Sequence, residues 1–336
     1  MKKWLLPLAT LLFASSLSNA AENPISVHFG ELPKPETVQK IISAGNPSDV
    51  VLLAVAPEKL AGFAGFKMQS AAGKLFPPAL QQLETLGRVS GKNSTLSPEK
   101  IVALAPSLIV DVGNVSPNYL DQAKKTQAHT QVPYVLLDGA LTRTPELLRE
   151  LGKLVGNSEQ AEPLAKYAEN VLAQAVGNTQ NFAKTVYLAR GADGLETGFA
   201  GSIHTEAMEL VGLKNVATGD HKGLAKVSME QLLQWNPDII FTQFPEFYQS
   251  VWDNPQWQAL NAVKNKQVYL VSNKPFGWLD SPPSLNRLLG MEWLQHHLAG
   301  KKADEFVPQV KAFYKLFYQI ELSDEQAKEL MPQSKN

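Results

Sequence analysis

Residues 97–110 read SPEKIVALAPSLIV, and residues 228–241 read SMEQLLQWNPDIIF. The two stretches align without a gap at an offset of 131 residues, so that Ser97 matches Ser228, Glu99 matches Glu230 and Pro106 matches Pro237. The apolar positions stay apolar. Each copy reads as a serine-capped helix, a proline turn and a buried strand. Ser228 and Gln231 also have the spacing of a capping box. One supersecondary unit appearing twice, far apart in the chain, implies two similar lobes.

Outward from the repeat, apolar runs alternate with helical patterns. Strands are expected at 38–43, 60–64, 107–112 and 134–137 in the first half, and at 185–189, 238–242 and 267–271 in the second. Strands separated by helices argue for parallel α/β sheets. Between the halves, Thr144-Pro145-Glu146 opens a helix as cap, first-turn proline and early acid, and it closes near Gly156. A second helix is expected from around Pro163, with Leu164, Tyr167, Ala168, Val171, Leu172 and Ala175 at three- and four-residue spacing. It reads either as a strut between two lobes or as one more helix of a single large sheet.

The 336 residues suffice for two hydrophobic cores. Lys and Arg total 31 against 32 Asp and Glu, a formal net charge of -1, which argues against nucleic acid as a partner. The absence of cysteine excludes disulfides, thiolate metal sites and a cysteine-linked lipid anchor. Lys2 and Lys3, an apolar run from Trp4 to Ala14 and the ending Ser18-Asn19-Ala20 have the order of a secretory signal, with cleavage expected after Ala20 or Ala21. An unanchored, exported chain follows.

Enzyme signatures are missing. Val89-Ser90-Gly91-Lys92-Asn93-Ser94 is out of register with a phosphate loop, and Ser202 lacks the glycine pair of a nucleophile elbow. The six histidines have neither H-x3-H nor H-E-x2-H spacing, so no bare-metal site and no catalytic residue are expected.

Together these features resemble the class III periplasmic substrate-binding proteins of ABC importers for cobalamin, haem, ferric siderophores and related metal chelates. Besides the paired repeat, Lys40 to Pro47 resembles the family's first strand and ligand-side loop, and Ala207 to Ala217 its second-lobe helix and turn. Gly277-Trp278-Leu279-Asp280-Ser281-Pro282-Pro283-Ser284 sits where the family places a Trp-containing cleft loop. The family's opening Asp-x-x-Gly-Arg hairpin is not visible in residues 22–36. The resemblance implies two Rossmann-like α/β lobes, joined by a single long interdomain α-helix, with a shallow cleft between them. The divisions are then a signal at 1–20, a first lobe at 21–156, a connecting region at 157–181 and a second lobe at 182–336.

It further implies a periplasmic monomer without a cofactor that works with a membrane permease and its ATPase. Glu99 and Glu230 would pair with permease arginines. The alternative is that each is simply a first-turn acid favoured by the helix dipole. Ligand residues are expected at strand ends: Asn46, Phe63, Phe66, Lys67, Arg88, Lys92, Asn93 and Asn114 in the first lobe, and Arg190, Phe199, His204, Gln243, Tyr248, Trp278 and Asp280 in the second. Aromatic faces would suit a macrocycle or catecholate, and arginine forks would suit anionic oxygens. An iron chelate, siderophore- or haem-like, is the first expectation. Molybdate or tungstate, or cobalamin, is the alternative, and an exported α/β hydrolase is the reading from another class.

Overall fold

The computed structural model describes residues 24–91, 94–177 and 184–335. The signal-like segment 1–20 lies outside them, as do Lys92 and Asn93. The first half contains β1 (Ser26–Phe29), β2 (Ile41–Ser43), α1 (Asn46–Val55), α2 (Pro98–Leu104), β3 (Leu108–Gly113), α3 (Pro117–Thr130), β4 (Tyr134–Asp138), α4 (Thr144–Val155) and α5 (Ser158–Gly177). The second half contains β5 (Thr185–Ala189), β6 (Glu196–Gly198), α6 (Glu206–Leu210), β7 (Lys214–Asn215), β8 (Leu224–Lys226), α7 (Met229–Trp235) and β9 (Ile239–Thr242). It continues with α8 (Pro245–Ser250), α9 (Asn261–Lys264), β10 (Val268–Leu270), α10 (Asn286–Leu298), α11 (Val307–Tyr318), α12 (Asp324–Glu329) and β11 (Gln333–Ser334).

Each lobe has its own sheet. In the first the order is β1-β4-β3-β2, and in the second β11-β10-β9-β5-β7. The strands β2, β3 and β4 run parallel, as do β7, β5, β9 and β10. The repeated strands β3 and β9 both stand inside a parallel triple. Each lobe also ends in one antiparallel edge strand, β1 on β4 and β11 on β10. Each α-helix of the repeat ends on a left-handed residue, Ala105 at φ 45° and Asn236 at φ 40°, before its proline. Ser97 and Ser228 accept the backbone N–H of Lys100 and Gln231 at 3.4 and 3.1 Å, satisfying an otherwise orphaned donor. The return bond from Gln231 is not made, so the expected capping box is half-formed. The complete one lies at Ser323 and Gln326, opening α12.

Other expectations need correcting. Residues 60–64 form no strand. Leu60 and Phe63 make only isolated bridges, to Ile41 and Thr85, and the N–H groups after Phe63 turn onto a buried carboxylate. Asp49 accepts from Ala64, Gly65 and Phe66 at 2.7, 3.0 and 3.2 Å, which diverts them from any ladder. Thr144 does not cap α4, since its hydroxyl donates back to the Leu141 carbonyl at 2.8 Å. α5 begins at Ser158 rather than near Pro163, which it absorbs as its sixth residue. The C-terminal tail adds β11 to the edge of the second sheet.

One apolar cluster runs from Val38 through Leu164 and Leu188 to Leu330, crossing both lobes. α5 packs along α4 and also against α10 of the second lobe. Its Tyr167 hydroxyl donates to Glu292 on α10. Arg287 is 2% exposed and fastens the lobes further. It donates to Glu206 Oε2 at 2.7 Å, the Ile203 carbonyl at 2.8 Å and, across the interface, the Gly139 carbonyl at 2.7 Å. Opening such a seam would expose apolar area at about 25 cal/mol per Å² and strand a buried guanidinium. The lobes are therefore held at a fixed separation.

Candidate functional site

Between the lobes, at the carboxyl ends of the parallel strands, lies a cavity of about 530 Å³. This is where open α/β sheets place their sites, because the loops that follow the strands converge there. Gly45, Asn46 and Pro47 follow β2, Gly113 and Asn114 close β3, and Arg190 follows β5. Arg88, Ser90 and Gly91 come from a loop whose Val89 and Ser90 N–H groups bond the Ala44 carbonyl at 2.9 and 3.0 Å. His204 and the run Asp280 to Pro283 complete the wall from the second lobe.

The second-lobe wall is built around one buried carboxylate. Asp280 is 1% exposed. Its Oδ1 meets His204 Nδ1 at 2.8 Å, and its Oδ2 accepts from Arg190 Nη1. The same Nη1 reaches Ser281 Oγ at 2.9 Å, and Arg190 Nε donates to Glu196 Oε2 at 3.2 Å. The guanidinium also lies 5.8 Å from the Phe244 ring centroid. Gln243 fixes the loop, accepting from Asp280 N at 2.7 Å and donating to the Ser272 carbonyl at 3.1 Å. Burial alone would raise the Asp280 carboxyl, but His204 and Arg190 outweigh it and hold the group below the usual carboxylate range. The contact of Asp280 Oδ1 with Nδ1 fixes the orientation of the His204 ring at the cavity wall.

The first-lobe wall is different. Arg88 is half-buried, and no acceptor meets its guanidinium among the described residues. Below it, Asp111 is 4% exposed at the cavity floor. Its Oδ1 accepts from Ser90 Oγ at 3.2 Å and its Oδ2 from the Tyr134 hydroxyl at 2.8 Å, while burial pushes its carboxyl up. With Asp280 already engaged, the uncommitted charge facing the cavity among the described residues is the cation of Arg88. The loop amides and the Asn46 and Asn114 carboxamides add neutral hydrogen-bonding groups. Among the described residues no three His, Asp or Glu side chains converge as a metal site.

Asn46, Arg88, Asn114, Arg190, His204 and Asp280 line one cavity. Trp278 and Tyr248 do not. Trp278 is fully buried, and its indole N–H donates to the Tyr314 hydroxyl at 3.0 Å, so it is a core residue of the second lobe. Tyr248 packs on Trp252 at 5.6 Å in that lobe's smaller apolar cluster. Phe63 and Phe66 belong to the main cluster, Phe199 stacks edge-on against His221, and Lys67 is exposed away from the cavity. Lys92 and Asn93 lie outside the described residues. Sequence reasoning overlooked Ser90, Asp111 and Tyr119. Asp111 was signalled by an acid inside the apolar run Leu108 to Val112, a placement that requires buried partners.

A family model described as periplasmic binding protein matches residues 43–275. A solved ABC transporter solute binding protein from Sulfurospirillum deleyianum superposes with a TM-score of 0.79 at 30% identity, covering 89% of this chain and 95% of that one. The molybdate-binding protein MolA of Haemophilus influenzae is 26% identical over 238 residues, covering 68% of this chain. That match spans 63% of the relative's own length, a little under two thirds. A vitamin B12-binding protein of Pectobacterium carotovorum is 28% identical over 225 residues, covering 65% of this chain and 78% of the relative. These relatives are all named as binding proteins. The parallel sheets in two lobes, the cleft between them and these matches agree: the chain belongs to the periplasmic binding protein family.

Proposed function

We propose that this chain is the periplasmic substrate-binding component of an ABC importer and that its cleft takes a compact, oxygen-rich anion, a tetrahedral molybdate- or tungstate-type oxyanion. The observation that carries this is the Arg88 guanidinium, a cation without a partner among the described residues, lining the same cavity as an anchored Arg190. Two guanidinium groups, loop amides and carboxamide donors surround a small oxyanion with charge-assisted hydrogen bonds. A related chain bearing the name of a molybdate-binding protein supports the same reading.

The flat-ligand reading is weaker here than the residue types suggested. Trp278 and Tyr248, which were to supply the stacking surface for haem or a corrinoid, lie elsewhere. A small carboxylate chelate of iron keeps second place on a specific observation. A neighbouring cavity of about 440 Å³ shares Gly91 and Tyr119 with the cleft and gives extra room for a chelator.

The test is thermal unfolding and calorimetry of the purified chain with molybdate, tungstate, sulfate, ferric citrate, haemin and cyanocobalamin. Molybdate or tungstate should give the largest stabilisation, about 2.7 kcal/mol at a hundredfold excess over Kd. Stabilisation by haemin or cyanocobalamin alone would overturn the oxyanion assignment.

A further inference from the structure

Among the described residues only two large hydrophobic side chains are exposed, Val102 at 51% and Leu233 at 40%. They are the same position of the repeat, 131 residues apart. Each lies three residues after a glutamate on a single short helix, Glu99 with Val102 on α2 and Glu230 with Leu233 on α7. Residues three apart share a helix face. Both glutamates are exposed, and neither has an ion-pair partner among the described residues.

Fold requirements explain the neighbouring positions but not these. Ile101 and Leu232, one residue earlier, are 1% and 0% exposed and plug each helix into its sheet. Ser97 and Ser228 cap, while Ala105 and Asn236 end the helices in left-handed conformations. An aliphatic side chain in water at Val102 or Leu233 adds nothing to the core. Two equivalent patches, one per lobe, each an aliphatic group beside a carboxylate with no ion-pair partner among the described residues, are complementary to a partner that is itself built of two equivalent halves. Each half must offer an apolar hollow next to a cation.

We infer that Val102 and Leu233 are apolar anchors for the importer's membrane permease, seated beside the charges of Glu99 and Glu230. The inference rests on the importer reading and adds to it the residues that supply desolvated contact area. An exposed ion pair contributes about 0–1 kcal/mol, so charge alone gives direction more than hold. Buried aliphatic contact shields the adjacent pair from water and lengthens the lifetime of the complex.

The experiment compares the wild-type chain, the double variant Val102→Ser/Leu233→Ser and the double variant Glu99→Lys/Glu230→Lys. Each is checked by circular dichroism melting, calorimetry with molybdate and ferric citrate, and light scattering for self-association. Binding to the permease–ATPase complex in lipid nanodiscs is then measured. The serine variant should melt and bind solute as the wild type does, and should bind the importer at least tenfold more weakly, mainly through a faster off-rate. If it binds the importer normally while the charge-reversed variant does not, the anchors are refuted and docking through the glutamates survives. If neither variant loses importer binding, docking at this face falls, and the anchors with it. If the wild type dimerises and the serine variant does not, the patches serve self-association, and the inference is overturned.

Discussion

Arg88 and Arg190 line one cavity, yet their removal should have opposite structural consequences. Arg190→Gln strips a buried carboxylate of one of its two cationic or hydrogen-bonding side chains. Breaking a buried pair typically costs 3–5 kcal/mol. Here His204 and the Gln243-anchored backbone remain on Asp280, so about 2–3 kcal/mol is expected. For a chain of this size that corresponds to a melting temperature lower by roughly 3–4 °C. Arg88→Gln removes a guanidinium that no described residue uses, and stability should hold within about 0.5 kcal/mol. Its effect falls on the ligand instead. Loss of charge-assisted bonds worth about 1.5–3 kcal/mol weakens molybdate binding roughly 10- to 150-fold. The pH dependence adds a further check. Asp280 is held below its unfolded value, so it stabilises the wild type above that value, and the contribution is lost as pH falls through the folded one. Without Arg190 the carboxyl rises and takes up its proton sooner. The stability gap should therefore be widest near pH 7 and narrow towards pH 4. Thermal melts at both pH values and calorimetry at pH 7 decide it. An Arg190→Gln chain as stable as wild type, or an Arg88→Gln chain that is equally destabilised, would refute the division of roles.

Trp278→Phe keeps most of the apolar volume but forfeits the bond to Tyr314. It should cost about 1–3 kcal/mol in chemical denaturation and leave molybdate affinity unchanged, which a true cleft residue would not. Glu292→Gln tests the seam between α5 and α10. Burial raises the Glu292 carboxyl, so the wild type is most favoured below the unfolded value and loses stability as pH rises. The non-titrating variant should accordingly gain on the wild type between pH 4 and pH 8 in parallel melts.

The parts of the fold legible in the sequence are those determined locally. A capping serine, a helix-ending turn and a β-branched run act within fourteen residues of one another, so the repeat announced both central strands. The edge strands were not legible. β1 takes its register from a strand more than a hundred residues away, Ser26 opposite Leu137, and β11 is two exposed residues with no alternation to read. Residues 60–64 looked like a strand because their composition is apolar, and the carboxylate that claims the next N–H groups sits elsewhere in the chain, at Asp49. The cleft loop shows the same limit on a smaller scale. Its position was readable, but the assignment of Trp278 to the cavity was not correct. The indole has an apolar home with a hydroxyl partner, while Asp280 two residues on faces two cationic or protonatable groups. Arg190 was readable because a charge directly after a buried strand must emerge at the sheet's carboxyl edge.

A short run of hydrogen bonds joins each cavity arginine to one helix of the repeat. The continuous core and the Arg287 latch tie the two lobes to each other. The Arg88 carbonyl accepts from Thr95 and Leu96 at 2.8 and 2.9 Å, immediately before the cap Ser97. On the other lobe Arg190 N bonds the Glu196 carbonyl at 2.8 Å, Glu196 pairs with Lys226, and Val227 N bonds the Leu195 carbonyl at 2.8 Å, immediately before the cap Ser228. Backbone hydrogen bonds thus run from the residue of each cavity arginine to the segment from which α2 or α7 begins. The repeat that divides the chain into lobes thus also places one cation at the cavity and one acidic, apolar helix at the surface of each, a few hydrogen bonds apart.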